Sequence, residues 1–176
     1  IDRNPDNGNL IVYYQAINPT GIIAQQRSDG KAPVYTFKLE EPTPAAFEEA
    51  AASIMPRKLF PDHFQAIVIS RRLAEEGLLD IFNYNENKNN RRSNVDLFVT
   101  NSPLYEVMNS YVPMEKLPGR SIRSTLEMQP KFPGRASQDA QLRDVLEHLE
   151  SSELTVVPLI RVDKKNTPNV SRLEDI

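Results

Sequence analysis

The densest group of reactive side chains is Arg57, Lys58, Asp62 and His63, immediately before the most apolar short run of the chain, Phe64 to Ile69. Two cations followed by an acid and an imidazole form a rim that can hold an anion or the carboxylates of a partner. Arg57, Lys58 and His63 are therefore the candidate partner-binding residues. The competing interpretation is structural: Asp62 and His63 satisfy backbone groups of a loop while Arg57 and Lys58 face water, because polar groups beside a core are usually there to be paired. A general base at His63 would need a nucleophile and an orienting carboxylate close by, and the sequence places neither.

The remaining chemistry-bearing residues are sparse. His148 is the only other histidine, in a stretch that also holds Glu147 and Glu150. It is expected on an exposed helix face. Two histidines so far apart lack metal-ligand spacing, and a chain without cysteine has no thiolate ligand, disulfide or cysteine nucleophile. No glycine-rich phosphate loop occurs. Carboxylates are plentiful, but none are spaced so as to set an acid apart from a base. The basic pairs Arg71-Arg72 and Arg91-Arg92 are expected on the solvated surface, with anionic lipid headgroups as a further possible contact. The expectation is no catalytic residue, no cofactor and no metal.

Composition narrows the class. The chain has 176 residues, 39% apolar and 26% charged, with a net charge of -3. That size suits one ordinary domain with at most a small appendage. An acidic balance argues against a nucleic-acid partner, which calls for a basic excess. No apolar run approaches the roughly 20 residues needed to span a bilayer, and no signal-peptide pattern opens the chain. Ile1 is an unusual natural start, so the chain is read as a fragment whose anchoring or targeting segment lies upstream.

The elements that must position these residues alternate between strand and helix. Leu10 to Ile17 is β-branched and aromatic and reads as a strand. The turn signal Asp6 to Asn9 precedes it, and with Ile1 before that turn a hairpin is predicted. Val34 to Leu39 is the next strand. Thr43 and Pro44 open a helix, Thr43 as cap and Pro44 in the first turn. Phe47, Ala50, Ala51 and Ile54 form its buried face, and the helix ends near Met55 ahead of Pro56. Phe64 to Ile69 reads as a strand buried on both faces. Ser70 caps a helix that runs to Glu76 and stops at Gly77.

Leu78 to Phe82 adds a helical turn or two, and Asn83 to Asn94 is a polar loop. Val95 to Thr100 is a strand and Pro103 to Tyr111 a short helix. Ser121 to Met128 is a possible further helix, and Lys131 to Ser137 is the best linker. Ser137 is expected to cap a helix from Gln138 to Glu150, with Leu142, Val145, Leu146 and Leu149 as its apolar stripe. Leu154 to Val162 is the last strand, and its Pro158 marks an edge. A polar, mobile tail follows from Asp163. The fold class is α+β (α/β-like): a mixed β-sheet flanked by helices, with a small second α/β subdomain at the C-terminal end. Residues 1–130 form the first domain, and residues 131–176 a linker and the start of the second.

One long segment carries a resemblance. Pro56 to Leu79, PRKLFPDHFQAIVISRRLAEEGLL, resembles the signature of the Ger(x)C family of spore germination proteins. The matching residues are Arg57, Lys58, Leu59, Phe60 and His63, the strand Ala66 to Ile69, and Leu73, Ala74, Glu76 and Gly77. Gln15 to Pro19 is similar to the end of the family's first strand, and Pro113 to Pro118 to its proline-flanked segment. The ordered matches run from Ile1 to about Leu126 and weaken beyond. Family chains are roughly twice as long, with a signal peptide, a lipobox cysteine and a Trp-Asp segment that have no counterpart here. This chain also departs from the family at Asn83 to Glu86, where a Leu-Leu-Arg-Asp helix end is usual.

The resemblance implies the N-terminal region of the C subunit of a nutrient germinant receptor. Such a subunit is lipid-anchored on the outer face of the spore inner membrane through a segment outside this fragment. It acts in spore germination beside the integral-membrane A and B subunits, without enzymatic chemistry. A role through protein contacts predicts exposed aromatic or apolar residues, with Tyr105, Tyr111 and Phe132 as candidates. The alternative is an extracytoplasmic domain that captures a small nutrient in a preformed pocket.

Overall fold

In a computed structural model the chain builds two small β-sheets with helices packed around them. The structure describes residues 1–17, 34–54, 64–79, 81–82, 95–110, 122, 140–163 and 172–174. The first sheet is antiparallel, in the order β1 (Asp2–Arg3), β2 (Leu10–Ile17), β3 (Val34–Glu41). The second is ordered β4 (Ala66–Ser70), β5 (Asp96–Thr100), β6 (Leu159–Asp163), β7 (Arg172–Glu174). Its first three strands are parallel and β7 is antiparallel to β6. The helices are α1 (Ala46–Ile54), α2 (Arg71–Glu76), α3 (Leu104–Asn109) and α4 (Leu142–Glu150). The mixed α+β class expected from sequence is the class observed.

Strands β4 and β5 of the second sheet are covered on both faces, as the unbroken apolar run of β4 requires. Side chains alternate across a strand, so Ile67 and Ile69 of β4 and Leu97 and Val99 of β5 face one core. That core also takes Leu10, Val12 and Leu39 from the first sheet, Phe47 and Ala51 from α1, Leu73 from α2, and Leu142, Val145 and Leu146 from α4. Val68, Phe98 and Ile160 face the opposite way, onto Leu104 and Val107 of α3 and Ile122. Ile69, Leu97, Phe98, Val107 and Ile160 have no exposed surface. Burying side chains of this size stabilises the fold by roughly 1.5–3 kcal/mol each. Of the helix and strand placed by the sequence in a C-terminal subdomain, α4 packs into the core shared with Leu10 and Ile69, while β6 pairs with β5 and adds Ile160 to the opposite cluster.

Local rules set several ends. Ser70 is the N-cap of α2, accepting from the Leu73 N–H at 3.1 Å. Gly77 stops that helix with φ +116°, a conformation that strains any residue with a Cβ. The hairpin joining β1 to β2 turns at Gly8, where φ is +75°, and is closed by hydrogen bonds from Asn4 N–H to Asn9 O and from Gly8 N–H to Asn4 O.

Four expectations are corrected. Helix α1 starts at Ala46, and Ile54 is half exposed rather than part of its buried face. Its first turn is used by Thr43, whose carbonyl accepts from Ala46 N–H at 3.2 Å. Helix α4 starts at Leu142, four residues later than predicted. Ala140 to Leu142 runs instead along β5, with Leu97 N–H donating to Ala140 O at 2.8 Å and Leu142 N–H to Val95 O at 2.9 Å. Backbone groups of β5 take precedence over the helical propensity of that stretch, and Leu149 at the far end of the stripe is left partly exposed. Strand β6 is interior and begins after Pro158, whose carbonyl accepts from Val99 N–H at 2.9 Å. Proline is tolerated at a strand entrance where no donor is required. The expected mobile tail contributes β7, paired as Arg161 to Glu174 through Asp163 to Arg172.

Candidate functional site

The three residues singled out from sequence, Arg57, Lys58 and His63, lie outside the described residues, as does Asp62. The neighbour of His63 is described: the Phe64 ring stacks on Tyr14 of β2, with centroids 6.2 Å apart and planes 28° from parallel. Tyr111, Phe132, Arg91 and Arg92 also fall outside the described residues. Arg71 and Arg72 do not behave alike. Arg71 is exposed and pairs with Glu75 one turn on, at 2.8 Å. Arg72 reaches back across the fold to Asp2, also at 2.8 Å, and to the Arg3 carbonyl.

That contact belongs to a clasp joining the start of the chain to the second sheet. Ile1 lays its backbone against β4: its nitrogen donates to Val68 O at 2.5 Å and its carbonyl accepts from Ser70 N–H at 2.9 Å. The Ser70 hydroxyl then donates to Asp2 Oδ1 at 2.5 Å while still capping α2. The Arg3 N–H donates to the same carboxylate oxygen at 2.8 Å, and the Arg3 side chain pairs with Glu76 at 3.0 Å. Burial alone would push the Asp2 carboxyl up. The hydrogen bonds from Ser70, Arg3 and Arg72, with the charge of Arg72, outweigh it and hold Asp2 below the usual carboxylate range. Where Ile1 carries a free amine, burial drives it down to about 5, against the opposing pull of Asp2. A serine engaged as both cap and carboxylate donor is fixed in place, so the cluster ties two sheets together and is not arranged as a nucleophile with its base.

A second polar cluster fixes the hairpin. Glu40 of β3 accepts from Asn7 Nδ2 at 2.9 Å and Asn4 Nδ2 at 2.7 Å. These bonds, Asn7 foremost, lower its carboxyl pKa. His148 is on the exposed side of α4, 3.8 Å from Glu153. Among the described residues no group of three or more acidic, histidine or cysteine side chains is placed to hold a metal ion. No helix among them is long and apolar enough to cross a membrane.

What the surface does offer is apolar area. Tyr105 and Tyr35 are half exposed, Val156 more so, and Leu154 fully. Tyr105 thus stands where a protein-contact role expected an aromatic side chain. The sequence predicts the segment holding Leu154 and Val156 as part of a strand, and nothing in its composition marks it as uncovered.

With two sheets, a polar clasp and exposed apolar side chains in place, comparison with known proteins can be read against the geometry. A family model described as the spore germination protein N-terminal domain matches residues 1–162. The chain belongs to this family. Spore germination protein KC of Bacillus subtilis (strain 168) is 25% identical over 174 residues, covering 94% of this chain and 42% of the relative. The chain therefore spans less than half the length of the curated relative it matches. No solved structure matches it. Within this germination-protein domain the matched span includes both sheets as far as β6, the clasp and helices α1 to α4.

Proposed function

We propose that this domain is the N-terminal region of the C subunit of a spore nutrient germinant receptor, a non-enzymatic, lipid-anchored lipoprotein subunit on the outer face of the spore inner membrane. It acts through protein contacts with the integral-membrane A and B subunits. The family match over residues 1–162 carries the proposal, supported by a relative whose name is spore germination protein KC. Half-exposed Tyr105 and Tyr35 suit a contact role, because aromatic residues are enriched where proteins meet. The partner-binding rim Arg57, Lys58 and His63 belongs to the same proposal.

The test is copurification. The full-length protein, carrying an affinity tag, is expected to bring the A and B subunits out of detergent-solubilised spore membranes. Substituting Arg57, Lys58 and His63 together with Ser is expected to weaken that recovery with the fold intact by circular dichroism. Absence of both partners from the wild-type eluate ends the proposal.

A further inference from the structure

Residues Leu154 to Val157 lie between α4 and β6. They follow the left-handed turn at Ser152, where φ is +57°, and lead into Pro158 and β6. They adopt neither helix, turn nor bend. Exposure alternates with a period of two: Leu154 is fully exposed and Val156 is 63% exposed, while Thr155 and Val157 turn partly inward. That alternation is the signature of an extended strand. Val157 packs on the main core, which holds the segment against the domain. Strand β5 does not pair with it, because Ala140 to Leu142 occupies the adjoining edge of β5 through the Leu97 and Leu142 hydrogen bonds. No hydrogen bond to the backbone of Leu154, Thr155, Val156 or Val157 is formed among the described residues.

Natural proteins blunt such edges with charge, proline or a covering element, since an open apolar strand recruits another strand. Here the only blunting residues are Glu153 and Pro158, one at each end. Charge indicates what would complement it. From Val145 to Ile160 the chain holds Glu147, Glu150 and Glu153 and no Lys or Arg, and all three glutamates are exposed. A second copy would bring the same acidic surface. A strand with alternating apolar residues and flanking Lys or Arg complements both the backbone and the charge.

We propose that Leu154–Val157 is a strand-addition site for an extended, basic-flanked segment of a partner protein. The backbone of that partner would pair with this edge, and its apolar side chains would cover Leu154 and Val156. This rests on the reading of the domain as a protein-contact module, and it names the chemistry of one contact.

The probe is the synthetic peptide Lys-Val-Thr-Val-Thr-Val-Lys, titrated into the 176-residue chain and followed by amide hydrogen exchange and fluorescence anisotropy. In the free chain the amides of Leu154 to Val157 exchange rapidly, and the peptide protects them. The same peptide with Glu in place of both Lys residues, or N-methylated on alternate residues, binds at least about tenfold more weakly. The double substitution Leu154→Lys with Val156→Lys also abolishes binding, with unchanged circular dichroism. Protection of these amides before any peptide is added overturns the inference, as does equal binding of the acidic or N-methylated peptide. A concentration-dependent dimer that the double substitution abolishes also overturns it, because the occupant is then a second copy. Peptide failure with intact A and B copurification sinks this site alone. Peptide binding without copurification sinks the receptor role and leaves the site standing.

Discussion

At the scale of single residues, Ser70 does the most work with the fewest atoms. One hydroxyl caps α2 through the Leu73 N–H and donates to Asp2, 68 residues away in sequence. Ser70→Ala removes both bonds and strands a partly buried carboxylate oxygen. It is expected to cost about 1–3 kcal/mol in urea denaturation, while Ser70→Thr, which keeps the hydroxyl, costs less than half of that. The Ile1 nitrogen gives a second prediction. As a free amine it sits at about 5 in the fold against 8.0 when solvated. Between these values the unfolded chain binds more protons, so stability rises with pH across that window and levels off above it. The full swing is on the order of 4 kcal/mol. Urea midpoints measured across that pH range should show the rise. A chain extended by residues ahead of Ile1 should not, because a peptide nitrogen does not titrate there.

At the scale of elements, α4 shows how one helix divides its apolar stripe between core and surface. Leu142, Val145 and Leu146 are buried, whereas Leu149, one turn on, keeps over a third of its surface. Leu146→Ala is expected to destabilise the domain by about 2–5 kcal/mol and Leu149→Ala by about 0.5 kcal/mol or less. Thermal unfolding of the two variants side by side is the measurement. Equal losses would mean that the C-terminal turn of α4 is covered in solution. The same division appears in α1, where Phe47 and Ala51 are buried and Ile54 is not. In both helices the apolar period of the sequence continues past the last buried residue.

At the scale of the molecule, the two sheets are bound by a shared core and by the polar clasp of Ile1, Asp2, Arg3, Ser70, Arg72 and Glu76. Gln15 adds a third tie, donating from β2 to the Met108 carbonyl at the end of α3 at 2.8 Å. A domain braced this way suits a contact surface more than a closing cleft. Isothermal titration of the chain with a panel of amino acids and sugars is therefore expected to give no binding heat. A saturable signal from any of them would replace the contact role with direct nutrient capture.

Sequence alone determined the features governed by neighbours in the chain. Ser70 and Gly77 bounded α2, the β-branched run built β2, and the unbroken apolar stretch before Ser70 announced a strand buried on both faces. The ordered residues from Pro56 to Leu79 were enough to place the chain in its family. Only the tertiary structure decided matters that depend on distant partners. It drew Arg72, expected on the open surface, onto Asp2. It spent Ala140 to Leu142 on β5 instead of on a helix, and it put β6 inside the sheet with β7 beyond it. It also left Leu154 and Val156 uncovered, although their composition matches that of buried strands. The physical reason is common to all of these: caps and periodicity act within a few residues, whereas pairing and burial are settled by whichever backbone or side chain arrives from elsewhere in the fold.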